Sequence, residues 1–363
     1  TDISKLNSPF LSGILDDFLA TDYQPLIQTS RFCPYTCAFC VSGKNRGKLR
    51  GFPFEQVKDE INYVSKKFSD RPHHMLYLAD ENFGILKRDV EIAKVIKNAN
   101  KEFGYPQSIS FYNDKRFTET SREVLEVLGD ISKMGVTLSL QTENPEVLKA
   151  INRRNVTNEE IDNAIMWANK LNIPTSTELI FGLPYETKQS YIDTLNRSIE
   201  RGFDSILSHA LFIMDGIELN RPEKREEYGI KTKFRPLNSS YMRIGNKFIA
   251  EHEEVVVSTK TFTYQDYLDV RKLNFMFYSI FTLSFQKWFF QFIKFNKKIQ
   301  LSDYFHNFMN PNLNEKWPAD YLKFINDFHK AAESELFDTK EQMLKYLENL
   351  YLKNNNDVAE PSR

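Results

Sequence analysis

Net charge is nearly absent from this 363-residue chain: 48 Lys and Arg against 49 Asp and Glu leave −1. That balance argues against the broad basic field of a general nucleic-acid binder, while leaving room for a local basic patch. Cysteine is scarce, and its three copies, Cys33, Cys37 and Cys40, share one eight-residue window. An odd cluster of this kind is no disulfide framework and points to a reducing compartment, so a cytoplasmic protein is expected. Thr1 to Asp17 holds acids and no continuous apolar core, hence no secretory signal. The best membrane candidate, 275–293, is interrupted by Gln286, Lys287 and Gln291. A charge at a helix centre costs about 2.5–3.5 kcal/mol on insertion scales, so this stretch reads as a buried aromatic helix and no membrane span is expected. Internal repeats and strong low-complexity tracts are lacking. The missing initiator Met suggests a part of a longer product.

What is present is a large apolar fraction, 41%, beside 27% charged residues. A chain of this size buries about 75% of its unfolded surface and needs no disulfide or structural metal for stability. Between residues 25 and 217, short β-branched or aromatic runs alternate with segments of helical period. Strands are expected at 25–31, 74–79, 107–112, 136–141, 174–181 and 204–213. Between them, Val57, Ile61, Val64 and Phe68 recur at steps of three or four, as do Val124, Leu125, Leu128 and Ile131. Thr157 with Glu160 forms a capping-box pattern ahead of Ile161, Ile165 and Leu171. The fold class is therefore α/β: six βα units that can curl into a partial (β/α)6 TIM-like barrel, with sites at the carboxyl ends of the strands.

Residues 1–24 read as an N-terminal extension or linker, and the barrel as 25–217. Residues 218–263 form a charged connection, expected to be irregular, with breaks at Pro222 and Pro236. An aromatic-rich α-helical extension at 264–350 follows, carrying Phe275, Phe277, Tyr278, Phe281, Phe285, Trp288, Phe289, Phe292 and Phe295. Residues 351–363 read as a disordered tail.

The run Arg31-Phe32-Cys33-Pro34-Tyr35-Thr36-Cys37-Ala38-Phe39-Cys40 has C-x3-C-x2-C spacing directly after the first strand. Three thiolates on an iron–sulfur cube leave one iron open to a chelating small molecule. Zinc usually takes four ligands in spaced pairs, and the next soft donors, His73 and His74, lie more than thirty residues on without paired spacing.

The loop resembles the signature of the radical S-adenosylmethionine (radical SAM) superfamily, C-x3-C-x-aromatic-C, with Phe39 at the aromatic position. The resemblance implies that Cys33, Cys37 and Cys40 ligate a 4Fe-4S cluster whose open iron is chelated by S-adenosylmethionine (SAM). It implies reductive cleavage of SAM to a 5'-deoxyadenosyl radical, with the cofactors carrying the chemistry and the protein positioning them. Asp80-Glu81-Asn82-Phe83-Gly84 stands where the family receives the methionyl amino group, making Asp80 and Glu81 candidates. Gln141-Thr142-Glu143 closes strand four where the family meets the ribose. Arg153, or its neighbour Arg154, suits the methionyl carboxylate. Glu178-Leu179-Ile180-Phe181-Gly182-Leu183-Pro184-Tyr185-Glu186-Thr187 resembles the adenine-side strand, with Glu178 and Ile180 as contacts and Gly182 allowing close approach. Glu186-Thr187 is expected to start and cap the next helix, and His209 to be a core histidine.

Residues 8–18, the cysteine loop and Asp-Glu-Asn-Phe-Gly together resemble the branch with an N-terminal cobalamin (B12)-binding domain. That domain's Asp-x-His-x-x-Gly motif occurs nowhere in this chain. The resemblance covers residues 8 to about 250. Phe32 and Tyr185 depart from it, each standing where the family usually has Gly. Branch members often methylate unreactive carbon or phosphorus, so methyl transfer, with cobalamin as a possible further cofactor, is one expected outcome. Others rearrange or cyclise. The family implies a small-molecule or biosynthetic-intermediate substrate and a reducing donor such as flavodoxin or ferredoxin. A tRNA methylthiotransferase would need further cysteines and an RNA-binding barrel. The alternative is a non-enzymatic zinc- or iron-binding interaction module.

Overall fold

Short apolar runs between amphipathic segments become six strands in the computed structural model, which describes residues 2–42, 47–132, 135–283, 288–289, 292, 295–296, 298–312 and 315–353. They are β1 (Leu26–Ile27), β2 (Leu76–Leu78), β3 (Ile109–Ser110), β4 (Val136–Thr137), β5 (Thr175–Phe181) and β6 (Ser205–Ala210). The helices between them are α1 (Phe54–Lys67), α2 (Asp89–Phe103), α3 (Glu119–Leu128), α4 (Pro145–Ala150), α5 (Asn158–Lys170) and α6 (Lys188–Arg201). The chain divides into two units. One is Thr1–Thr36, Ser42–Ser139 and Asn155–Ser176; the other is Cys37–Val41, Leu140–Arg154 and Thr177–Arg363.

In the first unit β1 pairs in parallel with β2 (Leu26↔Tyr77), and β2 with β3 (Leu76↔Ile109). β4 pairs in parallel with the start of β5 (Val136↔Thr175). Helix α1 exists because its apolar residues repeat on one stripe: Val57, Ile61 and Val64 are fully buried. Each such burial is worth roughly 1.5–3 kcal/mol. Helix α5 starts at the expected capping box, with Thr157 Oγ1 accepting from Glu160 N at 3.2 Å and Glu160 Oε2 accepting from Thr157 N at 2.7 Å. Two satisfied donors fix where that helix begins.

In the second unit the rest of β5 alternates strictly, with Thr177, Leu179 and Phe181 buried and Glu178 and Ile180 half-buried on the opposite face. A core of Ala38, Val147, Ile151, Leu183, Leu211, Leu219 and Val256 gathers here. The strand β7 (Phe212–Ile213) and the stretch beyond it depart from expectation. Residues 218–263 are not irregular: they hold α7 (Pro222–Tyr228) and an antiparallel hairpin of β8 (Lys231–Ile244) and β9 (Lys247–Ser258). The charges that suggested a loop are matched across the strands, as in Arg235 with Glu253. Gly245 makes the two-residue turn at φ 57°, a conformation glycine adopts without penalty. Pro236 lies where the ladder slips, between Pro236↔His252 and Tyr241↔Ala250.

The extension holds α8 (Tyr264–Met276), a π-helical turn at Phe277–Thr282, α9 (Leu301–Met309), α10 (Ala319–Ser334) and α11 (Lys340–Lys353). Phe277, Phe281 and Phe305 are buried, with the rings of Phe277 and Phe305 edge-on at 5.0 Å. The expected buried helix at 275–293 does not stay buried: Trp288 is 74% and Phe292 64% exposed, and Phe289 and Phe295 are exposed too. Their spacing marks a stripe, but a stripe does not reveal whether anything covers it. Phe285 lies outside the described residues, as does 354–363 of the expected tail, whereas 351–353 end α11. Among the described residues no helix is long and apolar enough to cross a membrane.

Candidate functional site

In the first unit the ends of β1 and β2 are tied together by one carboxylate. Asp80, 1% exposed, accepts from Thr29 N at 2.6 Å, Thr29 Oγ1 at 2.5 Å and Ser30 Oγ at 2.7 Å. Its lone pairs thus organise the chain just before the cysteine loop, which leaves it ill placed to receive an amine. Glu81 differs, because its Oε2 is buried without a hydrogen-bond partner among the described residues. Such an orphan is costly unless something occupies the space beside it. Asn82 donates through Nδ2 to Cys33 Sγ at 3.1 Å.

The loop is also held through Tyr35, whose hydroxyl donates to Asp114 Oδ1 at 2.7 Å while Lys115 Nζ stands 3.6 Å from the ring centroid. Burial, then the hydrogen bond to Asp114, pushes the Tyr35 phenol up, so it stays a donor. Burial likewise raises the Asp114 carboxyl, with the Tyr35 hydrogen bond opposing it.

The second unit carries the rest of the loop. Ala38 N donates to Ile151 O at 2.9 Å, and Leu219 N to Ala38 O at 3.2 Å. Phe39 and Ile180 pack against the same core as Ala38. Cys37 is buried and Cys40 half-buried, as is Cys33 in the first unit, and none of the three forms a disulfide. Arg153 Nη1 lies 3.5 Å from Cys37 Sγ.

Gln141, at φ 64°, pairs with β5 through both backbone groups and buries an Oε1 that has no partner among the described residues. Glu143 is engaged by Arg197 Nε at 2.6 Å and by Arg201, both from α6. It is therefore a helix anchor in this structure, and its oxygens are taken up by guanidinium groups. Glu178 shares the half-buried face of β5 with Ile180. Gly182, at φ 83°, lets the chain turn beneath Val256 O, which would lie 3.5 Å from an added Cβ.

Thr187 caps α6 as expected, but Glu186 does not act in the cap. It is fully buried, accepts from Thr142 Oγ1 at 2.9 Å, and leaves Oε2 without a partner among the described residues. Burial pushes its carboxyl up to about 8. His209 is exposed, so it is no core histidine.

A 4Fe-4S cluster asks for thiolates on separate irons, with N–H donors toward their sulfurs. Taken unit by unit, Cys33 has such a donor in Asn82 and Cys37 has one in Arg153, and none of the three cysteines forms a disulfide. Among the described residues no three His, Cys, Asp or Glu side chains gather round a single ion. A cube carries each thiolate on a different iron and does not require such a gathering. Each unit leaves a buried side-chain oxygen without a partner among the described residues, Glu81 Oε2 in the first and Gln141 Oε1 in the second.

Residues 27–198 match the family model of the radical SAM superfamily. The chain carries a radical SAM domain. Over 234 residues, 62% of this chain, it is 35% identical to TokK, a cobalamin-dependent radical SAM methyltransferase of Streptomyces tokunonensis. It is equally similar, over the same length, to a 2-(S-pantetheinyl)-carbapenam-3-carboxylate methyltransferase of Streptantibioticus cattleyicolor. The match covers 34% of each, so the chain spans about a third of the length of these curated relatives. Among solved structures, the radical SAM methyltransferase TsrM of Kitasatospora setae aligns over 58% of this chain and 39% of its own, with TM-score 0.48 and 17% identity. The succession of six strands and helices is the α/β fold of the radical SAM domain, followed by an α-helical extension.

Three participants were not singled out from sequence: Asn82, the Tyr35–Asp114 pair and the buried Glu186. Asn82 stands within Asp80-Glu81-Asn82-Phe83-Gly84, where the two acids are the more conspicuous ligands for an amine. Nothing local marks Asp114 or the burial of Glu186, since both depend on contacts distant in sequence.

Proposed function

We propose that this chain is the radical SAM portion of a methyltransferase that works with cobalamin on a carbon centre of a small biosynthetic intermediate. The observation that carries the reading is the C-x3-C-x2-C loop, whose three cysteines form no disulfide, with N–H donors on Cys33 and Cys37. Cys33, Cys37 and Cys40 would hold a 4Fe-4S cluster. When bound and reduced, the cluster supplies the electron that cleaves SAM into methionine and a 5'-deoxyadenosyl radical.

The chain's own residues bind and orient. Glu81, with its orphaned oxygen, is assigned to the methionyl amino group in preference to Asp80. Arg153 offers a guanidinium to the carboxylate. Gln141 would offer its buried Oε1 to the ribose, the half-buried Glu178 and Ile180 of β5 would meet the adenine, and Gly182 would admit close backbone approach. Phe39 fastens the cysteine loop to the apolar core. Residues 25–217 would be the catalytic core, with the substrate pocket shaped by loops and the helical extension. The two relatives that share 35% identity support methyl transfer. A cytoplasmic setting with a flavodoxin- or ferredoxin-like donor completes the reading.

The test is anaerobic reconstitution with iron and sulfide, reduction, addition of SAM and assay for 5'-deoxyadenosine. Its formation, lost in Cys33→Ala, Cys37→Ala and Cys40→Ala proteins that still fold, is the expected result. Tight stoichiometric zinc with no iron uptake would instead support a metal-binding interaction module and sink the proposal.

A further inference from the structure

Asn82 presents an amide donor to a cluster ligand from within the same unit, and no acid–base or substrate role has been given to it. The side chain is 7% exposed, and its Nδ2 lies 3.1 Å from Cys33 Sγ, within hydrogen-bond reach of sulfur. Its orientation is chemically determined, because the opposite amide rotamer would press Oδ1 against an electron-rich sulfur. The main chain on either side is pinned. Asp80 is held by three donors from Thr29 and Ser30, and Phe83 exchanges backbone hydrogen bonds with Tyr112 and Asp114. The amide therefore points at Cys33 from a fixed, buried base, toward a thiol that is itself half-buried.

Resting on the cluster reading above, we propose that Asn82 sets the reduction potential of the cluster through Cys33. One-electron reduction adds one negative charge, which spreads over the cluster and its thiolates. A donor at Cys33 Sγ stabilises the reduced form more than the oxidised one and so raises the midpoint. Removing it makes the cluster harder to reduce. Replacing it with a carboxylate adds repulsion to that loss. Asparagine is the neutral donor in a run whose two preceding residues, Asp80 and Glu81, are acids. Acidity one position further along would oppose the electron.

The experiment is an EPR-monitored redox titration of the anaerobically reconstituted chain, with dithionite supplying the electron. Wild type is compared with Asn82→Leu and the isosteric Asn82→Asp, and iron and sulfide are quantified in each. The expected result is full cluster content in all three, with the midpoint shifted negative in Leu and further negative in Asp. Equal midpoints in the three loaded proteins would overturn the assignment. Folded variants that load no cluster would also overturn it, by making Asn82 a requirement for assembly. A wild-type protein that takes up no cluster fails at the earlier step, and both readings fall with it.

Discussion

Replacing Glu186 with Gln should abolish a pH dependence of stability that this buried carboxyl imposes on the fold. The side chain is fully buried, receives one hydrogen bond from Thr142 Oγ1, and has no cation in contact among the described residues. Burial raises it from an ordinary value of 4.5 to about 8. The folded state therefore binds this proton across a window in which the unfolded chain has released it, and stability falls as pH rises through that window. The contribution is complete below about pH 4.5, erodes at about 1.4 kcal/mol per pH unit, and is gone above about pH 8. Between about pH 5 and about pH 7.5 the wild type should lose about 3 kcal/mol relative to Glu186→Gln. Gln copies the shape of the neutral acid, so the two proteins should be closest at the acidic end. Urea unfolding of both at each pH gives the difference, in which all other titrating groups cancel. A gap that changes by less than about 1 kcal/mol would show that Glu186 ionises normally in the fold and would refute the reasoning.

Tyr35→Phe removes the hydroxyl that serves the buried Asp114 and should cost roughly 1–3 kcal/mol in thermal unfolding of the cluster-free chain, with the neutral pair Tyr35→Phe/Asp114→Asn recovering part of it. Glu143→Gln should lower stability by roughly 1–3 kcal/mol through loss of the charged bonds to Arg197 and Arg201, while SAM affinity of the loaded protein, read by equilibrium dialysis, stays unchanged. Loss of SAM binding without loss of stability would return Glu143 to the cosubstrate. Gly182→Ala should destabilise by roughly 1–2 kcal/mol, since φ 83° strains any residue with a Cβ whatever the space around it.

The strands and helices of the barrel region were legible because their periodicities are local. The steps of three and four in α1 and the alternation in β5 need no knowledge of the partner. The hairpin at 231–258 escaped because its polar strands are matched to one another by charge rather than marked by alternating apolar residues. Yet the Gly245-Asn246 pair between two strand-like runs was a turn signal that could have revealed it. The exposed aromatics from Trp288 to Phe295 show the converse limit: spacing defines an apolar face, and only the fold says whether that face is covered. The cysteine loop was readable because its three thiols fall within eight residues of one another. Asp80 and Glu143 were chosen for being acids at strand ends, and the structure surrounds both with donors that sequence places far away.

The two departures from the family pattern carry the most physical information. Phe32 and Tyr185 stand where glycine is usual, and their φ values are 74° and 63°. Both backbones adopt the left-handed conformation that glycine takes freely and that costs an L side chain roughly 1–2 kcal/mol. The backbone thus takes at both positions a conformation that glycine would make easy, without the glycine. A strained conformation persists only where its surroundings over-determine it. Phe32 directly precedes Cys33, and Tyr185 directly precedes Glu186. After the first, the backbone is held by the bond of Tyr35 to Asp114; after the second, by Glu186 itself, whose amide reaches Leu183 O at 3.1 Å and whose carbonyl accepts from Thr261 at 2.7 Å. Those anchors fix the turns without glycine, so the departures mark stiff positions beside the thiol and the buried carboxyl on which the testable chemistry of this chain depends.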